Sequence, residues 1–516
     1  MKRKVLSILL CAAVAFTAVV SVNTVNTQKA NAASKEVRGM WIAFCDFYSL
    51  GLKNKSEKTF TANLDKALNK AKYDGCNTIY WHARAFDDAT WESKTFKASK
   101  YLSSKASSSK TAASTYSYDP LGIAVRECKE RGLKIEAWLN PYRITYGTFL
   151  DPSSTNSTAR INRAVDELQG YGLNGIHFDD YFYHSSSRYR SPSSSAKYSI
   201  SVKGSDTKKK PSASKKRSYV NKMIKSVYSN VHKKSGWKFG ISPAGNVENC
   251  MASGADVSTW MKSAGYIDYI APQIYWTDNW GSRGKTKMFS KRLAQWKNLN
   301  KRNVDMYIGL ALYRTGKKAS DDKGWGKRKT NMRTQVKTLR SKGMEGYILF
   351  EASDLYRSGA KTELYKLQGL VNPIPAKSLK FKSSSKAWVG KGISTKLSWN
   401  PSDTNPKSVK YSSSNTKVAT VSSSGTVTGR APGTAVITAT AKSGKKAKLT
   451  KNVRSCRVKI KKLYITSRKG PGSKYSKSTK YVKWKRLTIT RSKGKWGKIK
   501  GKNKWVYMPY TTRLSK

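Results

Sequence analysis

Two consecutive aspartates, Asp179 and Asp180, close an apolar run that reads Gly175-Ile176-His177-Phe178-Asp179-Asp180-Tyr181. Side chains alternate along an extended segment, so His177 and Asp179 share a face, and Asp180 points the other way or bends over a rim. Glycoside hydrolysis needs two carboxyl roles: one group protonates the leaving oxygen, the other attacks carbon or activates water. An ionised Asp179 suits attack on, or stabilisation of, an oxocarbenium ion, with His177 donating a hydrogen bond to hold it. For Asp180 the plainer alternative is a helix cap or a pair with Arg143. The second carboxyl is expected from Glu136, which shares parity with Asn140 and would stay protonated through burial. Glu351 and Glu248 are alternatives to it, and a structural ion paired with Arg84 or Arg143 is the other reading of Glu136. Aromatic residues gather at the ends of the apolar runs, and sugar rings pack their CH faces on such planes. Substrate contacts are therefore expected from Trp41, Arg84, Trp138, Asn140, Tyr142, Arg143, His177, Tyr181, Gln273, Tyr275, Trp276 and Tyr313. The chain lacks HExxH, a phosphate loop and a nucleophile elbow, so neither a metal nor a cofactor is expected.

Such residues must be carried to one place by the fold. Eight short apolar runs at 37–44, 78–84, 134–140, 175–181, 238–243, 269–276, 306–314 and 346–350 alternate with amphipathic segments. Near-continuous apolar runs suit parallel strands covered on both faces. Asp119-Pro120-Leu121 opens a helix with Asp as N-cap and Pro at the first helical position. Gly75, Gly132, Gly172 and Gly343 sit where helices stop, a place that favours the left-handed conformation. Eight β/α repeats predict an α/β fold, a closed (β/α)8 TIM barrel, whose chemistry lies at the carboxyl ends of its strands. The Ser-, Lys- and Arg-rich stretch 184–216 follows the fourth strand and reads as a mobile flap or a disordered excursion on that face; 101–115 looks similar but shorter. Beyond the stiff linker 372–376, period-two runs with turns between them predict an all-β region.

Residues 1–32 read as a secretory signal peptide: a basic head, an apolar stretch and a cut after Ala30-Asn31-Ala32. A secreted, wall-associated protein with no membrane anchor after cleavage follows from that reading. The odd set Cys45, Cys76, Cys128, Cys250 and Cys456 has neither CxxC nor Cys/His spacing, which argues against a disulfide framework or a zinc site. Net charge is +70, and past Glu363 the sole acidic residue is Asp403. So cationic a tail calls for a polyanion, and for an exported chain that means anionic cell-wall polymers. Specific nucleic-acid binding is disfavoured because no stacking or groove-reading motif accompanies the lysines.

Several motifs resemble known families. Arg38-Gly39-Met40-Trp41, Arg84 with Asp87-Asp88-Ala89, Ala137-Trp138-Leu139-Asn140-Pro141-Tyr142-Arg143, Gly175 to Tyr183, Ile241-Ser242-Pro243, Pro272-Gln273-Ile274-Tyr275-Trp276 and Gly309 to Tyr313 resemble the glycosyl-hydrolase-like family 10 barrels. That resemblance spans 33–371 and implies an envelope glycosidase acting on polysaccharide, with some relatives cutting peptidoglycan strands stripped of peptides. The fourth-strand pattern is also similar to the α-amylase clan, whose nucleophile falls at Asp179. That clan's acid after strand five has no counterpart in Ser242-Pro243-Ala244-Gly245-Asn246. Tyr411-Ser412-Ser413-Ser414-Asn415, Val418 to Val421, Gly425 to Gly429 and Gly433 to Thr438 resemble the group 2 bacterial immunoglobulin-like domain, over 377–454. Lys469 to Tyr475, Trp496 to Ile499 and Lys504 to Tyr507 resemble a bacterial SH3-like barrel, over 456–516. A hydrolase held at the wall by its basic modules is thus the leading expectation, and a non-catalytic wall-binding scaffold or adhesin is the alternative.

Overall fold

Eight parallel strands close on themselves in the computed structural model: β1 Val37–Ile42, β2 Thr78–Arg84, β3 Lys134–Leu139, β4 Gly175–Asp179, β5 Lys238–Ser242, β6 Tyr269–Ile270, β7 Asp305–Ala311 and β8 Gly346–Phe350. The structure describes residues 36–514 except 185–186, 198, 201, 208–210, 328 and 383–385, so the expected leader at 1–32 lies outside the described residues. Among the described residues no helix is long and apolar enough to cross a membrane. The chain divides into two compact units, one ending at Val371 and one beginning at Asn372.

Alternation along the strands builds two separate apolar layers. Outward-facing Met40, Ile79, Ile135, Ile176, Ile241 and Leu310 pack beneath the helices. Inward-facing Trp41, Tyr80, Trp138, Tyr269, Tyr307 and Ile348 fill the lumen. Each fully buried large apolar side chain contributes roughly 1.5–3 kcal/mol. The lumen has room for these rings because its facing positions include glycine. A Cβ on Gly240 would lie 2.0 Å from the Tyr269 ring. The helix Pro120–Glu130 starts as the sequence requires, with the Asp119 carboxylate accepting from Leu121 N. Gly75, Gly132 and Gly343 have φ of 102°, 62° and 75°, whereas Gly172 does not enter that region.

Two expectations are corrected. The sixth strand, expected over 269–276, keeps a ladder only at Tyr269–Ile270, because Pro272 has no N–H to give. Gln273 resumes the pairing through single bridges to Ala244 and Gly309. The stretch 184–216 is not simply a loose flap. Arg188–Pro192 pairs in parallel with Thr148–Leu150 and antiparallel with Gly204–Thr207. Buried Tyr189 anchors that small sheet by packing on Phe149 and Tyr183.

In the second unit, Lys386–Trp388, Lys446–Arg454, Gly433–Ala441 and Val409–Ser413 form one sheet, and Gly392–Ser394, Thr426–Gly429 and Ala419–Val421 another. The segment expected to be SH3-like forms a seven-stranded sheet from Cys456–Ile460 to Thr511–Arg513. Both parts share one apolar core, in which Ala387, Val427 and Ile437 lie with Val458, Ile489 and Val506.

Candidate active site

At the carboxyl ends of the barrel strands a cavity of about 180 Å³ is lined by Trp41, Phe44, Cys45, His82, Trp138, Asn140, Arg143, Asp179, Asp180, Tyr181, Ser242, Gln273, Tyr275 and Phe350, among others. An engineered cavity of roughly 150 Å³ takes a benzene ring, so this space suits one six-membered ring. Asp179 ends β4, in register with Ser242 of β5. Its Oδ1 accepts from the backbone N of Asp180 at 2.8 Å and from Gln273 Nε2 at 3.0 Å. Gln273 also donates to the Ser242 carbonyl at 2.9 Å, so the amide is fixed at both hydrogens. Its backbone is pinned by the two bridges just described, which is how the interruption at Pro272 delivers a donor to the carboxylate.

Burial raises the Asp179 carboxyl, while the amide donors and the Arg143 charge oppose that rise. Burial raises Asp180 further, and the neighbouring charge of Asp179 adds to it. Two carboxyls this close cannot both ionise cheaply. Both carboxyls are thus pushed upward, and Asp180, raised the further of the two, is the better holder of a proton. Arg143 stands over the pair, with its guanidinium 4.3 Å from the Tyr181 ring. His82 stacks on Trp138 at 3.7 Å between centroids, and burial, then the Arg143 charge, keeps it neutral.

The remaining expected residues divide. Trp41, Trp138, Asn140, Arg143, Tyr181, Gln273 and Tyr275 line the cavity with Asp179 and Asp180. Tyr313 packs edge-on against Tyr275 and Phe350, behind the lining. Trp276 lies under the Arg292 guanidinium and against Gly245 rather than in the cavity. Tyr142 is fully buried core. Arg84 is a structural residue. A register shift between His82 and Arg84 turns it away, and it donates to the Asn140 and Pro141 carbonyls while pairing with Asp87. Asp87 is gripped from the other side by Arg160.

His177 and Glu136 are corrected most. Trp41 Nε1 points at His177 Nε2 at 3.2 Å, and Nδ1 faces the Tyr269 hydroxyl at 2.8 Å. Those partners assign the ring proton to Nδ1. Tyr269 in turn donates to the Glu136 carboxyl. His177 therefore ties the barrel floor together and does not hold Asp179; burial lowers it to about 3, so it is neutral. Glu136 lies at the opposite end of the lumen. The charges that reach it come from Lys238, Lys134 and Asp268, which begin or precede their strands. Burial raises its carboxyl to about 7. Of the alternatives, Glu248 is exposed and bonds to Arg292. Glu351, just past β8, accepts from Cys45 Sγ at 3.2 Å and is raised by burial.

Residues that strand-end reading passed over include Phe44, Cys45 and Phe350. Cys45, Asp46 and Glu351 bring their ligand-type atoms within 4.8 Å of one another. Partial burial, then the charges of Glu351 and Asp46, push the Cys45 thiol up, so it acts as an S–H donor rather than a thiolate. Asp46, raised to about 7 by burial, accepts from Ala43 N and Ser353 N and staples the turns after β1 and β8. In the second unit a groove is lined by Tyr464, Trp496, Tyr507 and Tyr510 with Lys462, Arg468 and Lys477.

Residues 148–327 match the family model described as glycosyl hydrolase-like 10. Residues 377–451 match the model of the bacterial Ig-like domain (group 2). The chain is 26% identical over 361 residues to the glycosyl hydrolase DigH of Escherichia coli (strain K12), covering 57% of this chain and 77% of that one. It is 27% identical over 403 residues to the glycosyl hydrolase YngK of Bacillus subtilis (strain 168), covering 67% and 75%. Among solved structures, the PgaB (BpsB) glycoside hydrolase domain of Bordetella bronchiseptica overlays with a TM-score of 0.41 at 11% identity, covering 64% of this chain and 98% of that one.

Proposed function

We propose that this glycosyl hydrolase-like barrel hydrolyses O-glycosidic bonds of a cell-wall polysaccharide outside the cell, with peptidoglycan glycan strands as the favoured substrate. The observation that carries this reading is a ring-sized, aromatic-walled cavity lined by two adjacent buried carboxyls, of which burial raises Asp180 the further. Asp180 keeps the proton and serves as general acid to the leaving oxygen. Asp179, anionic and steadied by Gln273 and the Asp180 amide, attacks or stabilises the anomeric carbon as its bond to the leaving oxygen breaks; water then adds to that carbon, its proton passes to the Asp180 carboxylate, and Asp179 is left anionic again. Trp41, Trp138 and Tyr275 form the wall on which the sugar packs, and Arg143 balances the charge of the pair. Both curated relatives are named as glycosyl hydrolases, which supports the reaction class. The basic second unit, with its aromatic and cationic groove, suits retention on anionic wall polymers and so raises local substrate concentration.

The test is release of reducing ends from purified peptidoglycan. The wild type is expected to release them, and Asp179→Asn and Asp180→Asn to lose about 10²–10⁴-fold of the rate. Binding to peptidoglycan without release from any glycan would instead support a non-catalytic scaffold. One observation favours that second reading: among the described residues, the carboxyls lining the cavity are the consecutive pair.

A further inference from the structure

A second cavity lies beside the first. Phe86, Asp88, Lys97, Lys100, Ser108 and Tyr146 contribute to its lining, and its volume, about 180 Å³, is the same as that of the cavity over Asp179. Arg143 forms the partition. Its guanidinium lies 4.4 Å from the Phe86 ring and 4.8 Å from the Tyr146 ring, while the residue itself lines the Asp179 side. Although Arg143 is only 6% exposed, its Nε has no hydrogen-bond partner among the described residues. Asp88 is the acidic member of the lining, and its Oδ1 is already engaged by the backbone N–H groups of Ala85 and Phe86 at 3.0 and 2.8 Å. Two lysines therefore line the cavity against one carboxylate, which leaves its lining with an excess of positive charge, and Arg143 stands behind Phe86 and Tyr146. Ring-sized space, an aromatic edge and surplus cations beside a cleavage site match a sugar that carries its own anion.

Resting on the hydrolase reading above, we propose that this second cavity is a subsite for a carboxylate-bearing sugar, adjacent along the chain to the sugar held over Asp179. Lys97 and Lys100 meet the carboxylate, Tyr146 and Phe86 meet the ring, and Arg143 orders the two subsites relative to each other. A guanidinium with a free N–H on a buried edge suits a planar anion. The carboxylate can be a lactyl ether on the ring or the ring's own C6 acid, and the two sources are separated by the substrates used.

The full-length protein and its Lys97→Ser/Lys100→Ser variant are compared on three glycans: peptidoglycan strands freed of peptides, a polyuronate and a neutral chito-oligosaccharide. Equilibrium binding and kcat/KM are both measured, and matched thermal unfolding shows that the variant folds. The proposal expects the wild type to favour a carboxylate-bearing glycan over the neutral one. It expects the variant to lose about tenfold of that preference, as two partly exposed ion pairs would give. Preference for the peptide-free strands assigns the lactyl carboxylate, and preference for the polyuronate assigns the C6 acid. A preference that changes less than twofold in the variant overturns the subsite while leaving hydrolysis intact. Lysine-dependent binding of the acidic glycan without any cleavage supports the subsite and instead defeats the hydrolase reading.

Discussion

Glu136→Gln separates a structural carboxyl from a catalytic one. Burial raises the Glu136 carboxyl from 4.5 in the unfolded chain to about 7 in the barrel, where it accepts from Tyr269. Between those values the native state binds more protons than the unfolded state, so stability falls as pH rises. The contribution is fully present below 4.5 and is lost as pH climbs through 7. At 1.36 kcal/mol per pKa unit, the loss attributable to Glu136 between pH 5 and pH 8 is about 2.5 kcal/mol. Glutamine keeps an oxygen for the Tyr269 hydroxyl but cannot ionise. The variant is therefore expected to resist denaturant less steeply with pH, gaining about 2.5 kcal/mol over the wild type at pH 8 relative to pH 5. Its glycan cleavage is expected to stay within about threefold of the wild type, because the side chain stands on the barrel floor. Urea unfolding followed by tryptophan fluorescence at the two pH values, together with a reducing-end assay, provides both readouts. An unchanged pH slope, or a loss of cleavage as deep as that of Asp179→Asn, refutes the placement of Glu136 as floor rather than acid.

Gln273→Leu removes a hydrogen-bond donor from Asp179, so its carboxyl should titrate higher, and the acid limb of the pH–rate profile should move upward; an unmoved limb rejects Gln273 as a positioning residue. Asp87→Asn strips the shared anion from Arg84 and Arg160, and leaving a buried charge uncompensated costs about 3–5 kcal/mol, read as a fall in denaturation midpoint. Trp138→Ala removes the plane that backs His82 and lines the cavity; KM should rise about tenfold with a smaller change in kcat, and an equal loss in both would point to a role in the chemistry itself.

The inward and outward faces of the strands were legible from alternation, and so was the barrel. Period two points to Asp179, because it reports which side of a strand a residue occupies; Trp41, Trp138 and Tyr275 are legible as aromatic residues gathered at the ends of the apolar runs. Depth is a different quantity. Glu136 and Asp179 share the inward face, yet the first stands two residues into β3 and the second ends β4. Alternation is blind to that height, so Glu136 was read as part of the mouth. His177 fails for the same reason, one layer below Asp179. Arg84 lies beyond a register shift that no pattern of apolar residues announces. The pairing of Arg188–Pro192 depends on a partner at Thr148–Leu150 from another loop, which local composition does not encode.

The protein's charge and its site pull the aspartate pair in opposite directions. A chain with a net charge of +70 stabilises anions, and by itself it would keep both aspartates ionised. Yet most of that charge is on the surface, screened beyond about 10 Å at 0.1 M salt. Within the lumen the neutral Tyr269–His177–Trp41 ladder gives the pair no cation from below. Arg143 acts from above but is shared between both carboxyls. Desolvation and the neighbouring charge therefore act hardest on Asp180, while the Gln273 amide offsets part of the rise at Asp179. That division makes adjacent, chemically identical residues inequivalent, so Asp179→Asn and Asp180→Asn should disable different limbs of one bell-shaped pH profile. In the first, the limb rising from low pH disappears, because no carboxylate remains to be formed. In the second, the limb falling at high pH disappears, because no proton remains to be lost. If the residual activities of the two variants follow the same pH curve, the inequivalence inferred from their burial and hydrogen bonding is wrong.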